Sequence, residues 1–337
     1  MTLNIDILAT EFTTGSLLYG LFDTLSMPGA VWPRLIEGRA ADPLAKVRIV
    51  TTDGVPITCI GGVPVTPHAA FDVQSSPDVI CIPNIRIPPD SDPRGLFQDE
   101  VTWIRDCYDM GSIIGTACSG SILLAEAGLL DGLEATSHWG FDAMFRKHYP
   151  QILYRPGRTL TFAGEGQRLV MSGGMASWHS LSLYLIARFF GEEQAAQTAQ
   201  IYVMSELQTD QLAYSALSRR IESEDSVIGE CQKWATANYA VADPASKMAA
   251  LSGLPQRTFS RRFKSATGYS PLEYVQSLRT EEAKKLLETT ICPVPEIAMM
   301  VGYEDERAFR RFFRKRTGLT TTNYRRKFDR KRFLRPR

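Results

Sequence analysis

The chain has 337 residues, of which 44% are hydrophobic, 22% charged and 10% aromatic; this is globular composition, too long for one ordinary domain of about 100 to 200 residues. Its net charge of +1 conceals an asymmetry, because residues 1–222 hold 15 Lys+Arg against 24 Asp+Glu while residues 223–337 hold 23 against 13, so an acidic part precedes a basic one suited to a polyanionic partner. No apolar run reaches the roughly 18 to 20 residues that span a bilayer, the start MTLNIDILATEF carries acids where a secretory leader carries bases, and the six cysteines form neither a CxxC pair nor a group with histidines; a cytoplasmic protein with reduced thiols and without metal or other cofactor is expected.

In chain order, short apolar or β-branched runs at Asn4–Ala9, Val47–Thr52 and Val79–Pro83 alternate with helix-like stretches at Leu17–Leu25 and Gly95–Met110. That alternation predicts an α/β domain built on a mostly parallel sheet covered on both faces. The segment SIIGTACSGSILLAEAGLL then predicts a strand over Ser112–Gly115, a turn of small residues and a helix over Ser121–Leu130. Cys118 sits on that turn at the carboxyl end of the strand, where open α/β sheets keep their ligand crevice and helix-start N–H groups favour an anion or a thiolate. Two readings of Cys118 stand side by side: a small apolar residue in a crowded turn, or a reactive thiol. His138–Trp139 and Trp178–His179 have the same ambiguity between packing and ligand contact.

From Asp243 onward the periodicity becomes helical, and the chain repeats itself at an offset of about 50 residues. Ala249 and Gly253 answer to Ala298 and Gly302, while Phe259, Phe263, Gly268 and Tyr274 answer to Phe309, Phe313, Gly318 and Tyr324. Each copy predicts a short helix closed by a glycine of positive φ, followed by a second helix that packs through Phe at i and i+4. The outward positions are then Arg257, Ser260 and Arg261 in the first copy, and Glu306, Arg307, Arg310 and Arg311 in the second. Arginines on the second helix of such a unit suit the DNA major groove, because the guanidinium fork matches guanine O6 and N7. Pro271 opens the helix after the first copy, and Thr321 stands in its place after the second, where Thr321 or Thr322 is expected to cap through its hydroxyl.

Two resemblances join these observations. ACSGSILLAEAGLLDGLEATSHW and SGGMASWHSLSLYLIARFFGEEQAA resemble the PfpI/ThiJ-like domains over roughly residues 3–205. The likeness implies the flavodoxin-like, doubly wound fold of class I glutamine amidotransferase-like proteins, with Cys118 on a nucleophile elbow and His138 near it. An effector site of Cys118, Ser119, His138, Trp139, Asn84 and Trp178 is expected there. The chain departs from that pattern at Leu17, where enzymatic relatives carry an acid, with Asp23 two turns further on; Asn84 replaces a glycine and Ser180 an aspartate. These departures favour binding over turnover, so no catalytic residue is assigned and Cys118 is kept as the candidate reactive thiol. GLPQRTFSRRFKSATGYSPLEYVQSLRTEEAKKLL and IAMMVGYEDERAFRRFFRKRTG resemble the AraC/XylS-type DNA-binding domain, from near Ser226 to Phe328. That resemblance implies a rigid connecting helix, Thr280–Leu287, holding two recognition helices on one face of DNA.

The expected organisation is a sensor and dimerisation domain (1–205), a linker (206–225), an all-α DNA-binding domain with two helix-turn-helix units (226–330) and a basic tail (331–337). The combination resembles bacterial transcription regulators. It implies an activator that partners promoter or operator double-stranded DNA, a small-molecule effector of amino-acid or quaternary-amine type, a second copy of the chain as a homodimer, and RNA polymerase, with nucleoid association when bound. Hydrolase- or hydratase-like chemistry, or redox sensing, at Cys118 is the alternative.

Overall fold

A computed structural model of the chain describes residues 2–72, 77–204, 223 and 225–328. Most of the expected linker and all of the basic tail lie outside these residues. Internal contacts divide the chain into two units, Met1–Thr209 and Asp210–Arg337.

In the first unit, the elements in order are β1 (Leu3–Leu8), α1 (Gly15–Ser26), β2 (Ala45–Thr51), β3 (Ile57–Cys59), β4 (Val63–Val65), β5 (Ala69–Ala70), β6 (Val79–Ile82), α2 (Gln98–Asp109), β7 (Ile113–Ala117), α3 (Ser121–Glu126), β8 (Glu134–Ala135), α4 (Asp142–His148), β9 (Leu153–Tyr154), β10 (Leu160–Ala163), β11 (Leu169–Ser172), α5 (Trp178–Phe190) and α6 (Glu192–Tyr202). Seven strands form one sheet in the order β10-β11-β7-β6-β1-β2-β5, parallel throughout except for the antiparallel β10–β11 pair. Numbered among themselves, β2, β1, β6, β7 and β11 run 2-1-3-4-5, the flavodoxin-like doubly wound order.

The strands read as continuous apolar runs because both faces are covered. Side chains alternate between the faces, so Val79 and Cys81 of β6 join one core while Ile80 and Ile82 join the other. The first core is completed by Leu17, Leu18 and Leu21 of α1 with Leu181 and Leu185 of α5, the second by Trp103, Ile122 and Phe145 of α2, α3 and α4. One carboxylate is buried in the sheet: Asp6 of β1 accepts from Arg48 Nε and Nη2 of β2, both at 2.8 Å, directly across the strand pair. A one-residue slip of either strand would leave that charge unpaired, so the pair also specifies register.

Several boundaries differ from the sequence reading. The helix expected over Gly95–Met110 begins at Gln98, and the strand expected over Ser112–Gly115 runs to Ala117 because it pairs with β6 and β11 along its length. The helix expected to reach Leu130 ends at Glu126, shortly before Gly128 turns the chain with φ +71°.

The second unit is all-α: α7 (Ser226–Asn238), α8 (Pro244–Leu251), α9 (Gln256–Thr267), α10 (Pro271–Thr289), α11 (Val294–Met300), α12 (Glu306–Thr317) and α13 (Thr321–Phe328). The pairs α8–α9 and α11–α12 are the two repeats, and each has its own core. Ile228, Met248, Phe259 and Phe263 gather in one, and Ile297, Val301, Phe309 and Phe313 in the other. The connecting helix expected over Thr280–Leu287 is longer than that. It is one piece with the helix begun at Pro271, since Ser270 and Glu273 form a capping box and no breaker follows until Pro293. The expected cap of α13 also moves: Thr320 Oγ1 accepts from Asn323 N at 3.2 Å, while Thr321 Oγ1 accepts from Arg310 instead.

Gly120, behind the Cys118 turn, has no room for a side chain: a methyl there would sit 2.5 Å from the Pro83 carbonyl oxygen and 2.7 Å from that of Ile82. Gly120→Ala is expected to cost about 1 to 3 kcal/mol of stability, read as a lowered urea midpoint by circular dichroism. An unchanged midpoint would mean that the segment after β6 yields freely.

Candidate functional site

At the carboxyl edge of the sheet, three segments converge after β1, β6 and β7. Cys118 follows β7 directly and takes φ +56°, a left-handed conformation that a side chain disfavours. The turn is held from both sides. Ser119 Oγ accepts from Ile85 N at 3.2 Å and donates to Ile85 O at 2.7 Å, clasping the turn to the segment after β6. The Cys118 carbonyl accepts from His138 N at 3.2 Å and from Ser137 Oγ at 3.0 Å. Cys118, Ser119 and His138 are therefore neighbours, although 19 residues of chain lie between the first and the last.

The other candidates are placed differently. Asn84 is 4% exposed, and its amide is engaged with Thr14: Oδ1 accepts from Thr14 N at 2.9 Å and Nδ2 donates to Thr14 Oγ1 at 3.0 Å, which ties the start of α1 to the segment after β6. Trp139 packs its ring 4.8 Å from that of His138. Trp178 belongs to the same apolar cluster as Cys118 and lies so close to α1 that a methyl on Gly20 would fall 2.6 Å from its ring. Leu17 of α1 is buried in that cluster too, and Asp23 is on the exposed side of α1. Spacing in the sequence carries no signal for the clasps made by Thr14, Ile85 and Ser137, because each comes from a different strand end.

The chemistry of this elbow is that of a protonated thiol. Burial pushes the Cys118 pKa up to about 11, only partly offset by hydrogen bonds from Ser119. His138 is held below the usual imidazole range by burial, so it is neutral at pH 7. Its Nδ1 accepts from Gly140 N at 3.1 Å, which leaves the proton on Nε2. The hydroxyls of Thr116, Ser121 and Ser180 are buried with no hydrogen-bond partner among the described residues. Among the described residues, no three His, Cys, Asp or Glu side chains gather as metal ligands would, and no helix is long and apolar enough to cross a membrane.

In the second unit, α9 and α12 bury Phe259, Phe263, Phe309 and Phe313, each at most 2% exposed, and thereby turn the intervening positions outward. Arg257, Arg261, Arg307, Arg310 and Arg311 are exposed, and Ser260 and Glu306 half-buried. Among the described residues, Arg257, Arg261, Arg307 and Arg311 have no carboxylate partner. Arg310 is braced within the unit, donating to Glu306 Oε1 at 2.5 Å and to Thr321 Oγ1 at 3.2 Å. Arg262, next to Arg261, points the other way and grips Asp225 through Nε and Nη2 at 2.5 and 2.9 Å. Sequence reasoning missed Arg314 and Lys315, which with Arg310, Arg311, Gly318, Thr320 and Thr321 line a depression of about 640 Å³. Their signal was the charge run RRFFRKR, of which only the first part was assigned.

Brief alkylation of the native chain at neutral pH is expected to label half-buried Cys292 and to spare Cys118 and Cys81, whose pKa is pushed up to about 12 by burial. Labelling of Cys118 should instead rise as pH approaches about 11, followed by mass spectrometry of the peptides. Rapid labelling of Cys118 at neutral pH would establish a stabilised thiolate and contradict the buried-thiol account.

A model of the DJ-1/PfpI family matches residues 39–174, and a model described as a helix-turn-helix domain matches residues 248–327. The HTH-type transcriptional regulator CdhR of Pseudomonas aeruginosa is 26% identical over 303 residues, which cover 88% of this chain and 86% of that protein. The HTH-type transcriptional regulator GbdR of Pseudomonas aeruginosa is 26% identical over 308 residues, covering 90% and 82%. An isonitrile hydratase of Pseudomonas putida is 34% identical over 104 residues, covering 30% of this chain and 43% of the enzyme. By these matches the first unit carries a DJ-1/PfpI-type domain and the second a helix-turn-helix domain.

Proposed function

We propose that the chain is a sequence-specific DNA-binding transcriptional regulator whose first domain binds a small polar effector at the elbow around Cys118. The observation that carries this reading is the repeat of two exposed arginine faces, on α9 and α12, each backed by a buried Phe pair and both built around one shared helix, α10. Similarity to whole-length regulators on either side of the domain boundary supports it. The basic depression beside Arg314 and Lys315 suits a backbone phosphate, which fixes position without reading sequence. The elbow serves binding and not turnover, since the thiol is protonated and no acid stands at Leu17. We take the regulator to act as a homodimer in the cytoplasm, with paired sites raising avidity.

The similarity to isonitrile hydratase gives a cysteine-dependent enzyme as the second reading. A thermal-shift screen of the full chain against amino acids, quaternary amines and isonitriles, with Cys118→Ala in parallel, separates the two. A bound effector at about 100 times its Kd adds roughly 2.7 kcal/mol of stability. A shift kept by Cys118→Ala supports the sensor; a compound consumed by the wild type and untouched by the variant supports the enzyme.

Duplexes selected from a random pool test the DNA reading. Arg257→Ala and Arg311→Ala are each expected to weaken binding to a selected duplex by about 1 to 3 kcal/mol while changing random-sequence binding little. Equal weakening on both would mean that these arginines touch only phosphates.

A further inference from the structure

We infer that Arg279 and Gly302 set the spacing between the two recognition helices, Arg279 as a staple across the two helix-turn-helix units and Gly302 as the close-packed seat that lets the staple shut. The inference rests on the DNA-binding reading above and concerns which residues position the readers, not which ones read.

Arg279 lies on α10 where that helix passes from one core to the other: Leu278 enters the first core and Ala283 the second. Its guanidinium faces both units. Nε donates to Tyr239 O at 2.8 Å and Nη2 to Val241 O at 3.0 Å, both in the connection between α7 and α8. The same group stands 5.2 Å from the ring centroid of Tyr303, in the turn between α11 and α12. Tyr303 in turn packs on Phe309 at 5.5 Å and Phe312 at 6.2 Å, the two rings of α12 nearest to that turn. A single fork thus joins backbone of the first unit to an aromatic platform on the second recognition helix.

Comparison of the two repeats isolates the role of Gly302. The turn glycines Gly253 and Gly302 both have positive φ, +67° and +84°, as the motif requires. Around Gly253 nothing lies within 4 Å of where a side chain would begin, whereas at Gly302 a methyl would meet the Ala240 carbonyl oxygen at 2.5 Å and its Cα at 2.8 Å. The second glycine therefore does two things where the first does one: it makes the turn, and it admits the backbone of the other unit. Arg316 of α12 adds a flanking tie, donating to Ser277 Oγ and, at 3.4 Å, to Glu273 O on the early part of α10.

Recognition helices entering successive major grooves must match the DNA repeat, and one added base pair shifts the second groove by about 3.4 Å and turns it by roughly 34°. A seam closed by a two-carbonyl fork and backbone contact cannot follow that shift. The protein should accordingly discriminate strongly between spacings, and should lose that discrimination when the seam is opened.

The test uses the full chain. Wild-type protein selects duplexes from a random pool, and binding is then measured on the selected duplex, on a version with one base pair inserted between its two half-motifs, and on a duplex carrying one half-motif alone. Wild type is expected to bind the inserted duplex about tenfold or more weakly. Arg279→Met should bring the two spacings within about twofold of each other while leaving half-motif binding unchanged. Arg279→Lys, which keeps the cation over Tyr303 but cannot fork to two carbonyls, should fall between. Gly302→Ala, checked for a native circular dichroism spectrum, should resemble Arg279→Met. The inference is overturned if Arg279→Met keeps the wild-type spacing ratio, or if it weakens half-motif and full-site binding alike, as general destabilisation would. If wild type enriches no sequence from the pool, the DNA-binding reading itself fails and this inference falls with it.

Discussion

One helix has to satisfy two hydrophobic cores at once. Over its 19 residues, α10 sends Tyr274, Val275 and Leu278 into the first helix-turn-helix unit and Ala283 and Leu287 into the second. At 1.5 Å per residue it spans about 28 Å. Neither core is large, and each depends on α10 for a wall, so neither unit closes without it. That constraint explains why the helix begins with so strong a start signal, Ser270, Pro271 and Glu273 in one turn, and why Thr289, Thr290 and Pro293 stop it only after both cores are served. It also explains why the outward faces of α9 and α12 can be nearly all charge: the phenylalanines behind them are already anchored, and the exposed side needs nothing further for stability.

A comparable constraint governs the first unit. The parallel sheet is covered on both faces, so its carboxyl edge is the place where loops meet, and the tightest of these turns holds Cys118 at positive φ. The strain persists because the surroundings over-determine the turn: Ser119 clasps Ile85, Ser137 and His138 bind the Cys118 carbonyl, and Gly120 lets the Ile82–Pro83 backbone pass. The same enclosure removes the thiol from water and keeps it protonated. A tight strand-to-helix turn thus carries a thiol that its burial holds in the protonated form.

The two repeats in the second unit show how a shared motif acquires separate duties. Gly253 and Gly302 are equivalent in sequence, yet only Gly302 has another backbone against it. Arg261 and Arg262 are adjacent, yet only Arg262 is bound to Asp225. Such differences arise from what lies across the interface between helices, and a repeat alignment is blind to them.

The sequence by itself determined the alternation of strand and helix in the first part, the division into an acidic α/β part and a basic helical part, the turn carrying Cys118, and the buried Phe pairs with the arginines between them. Those features are written in periodicity, charge and turn residues within a few positions of one another, and local sterics read them without help from the rest of the chain. The tertiary structure decided that α10 is one helix and not two, that Thr320 caps α13, that Asn84 binds Thr14, that Arg310 is braced and Arg262 turned inward, and that Cys118 is a buried thiol. In each case the deciding partner is brought in by the fold or set by a choice among neighbouring hydroxyls, and burial, hydrogen bonding and pKa depend on what surrounds a group in space and not on what precedes it in the chain.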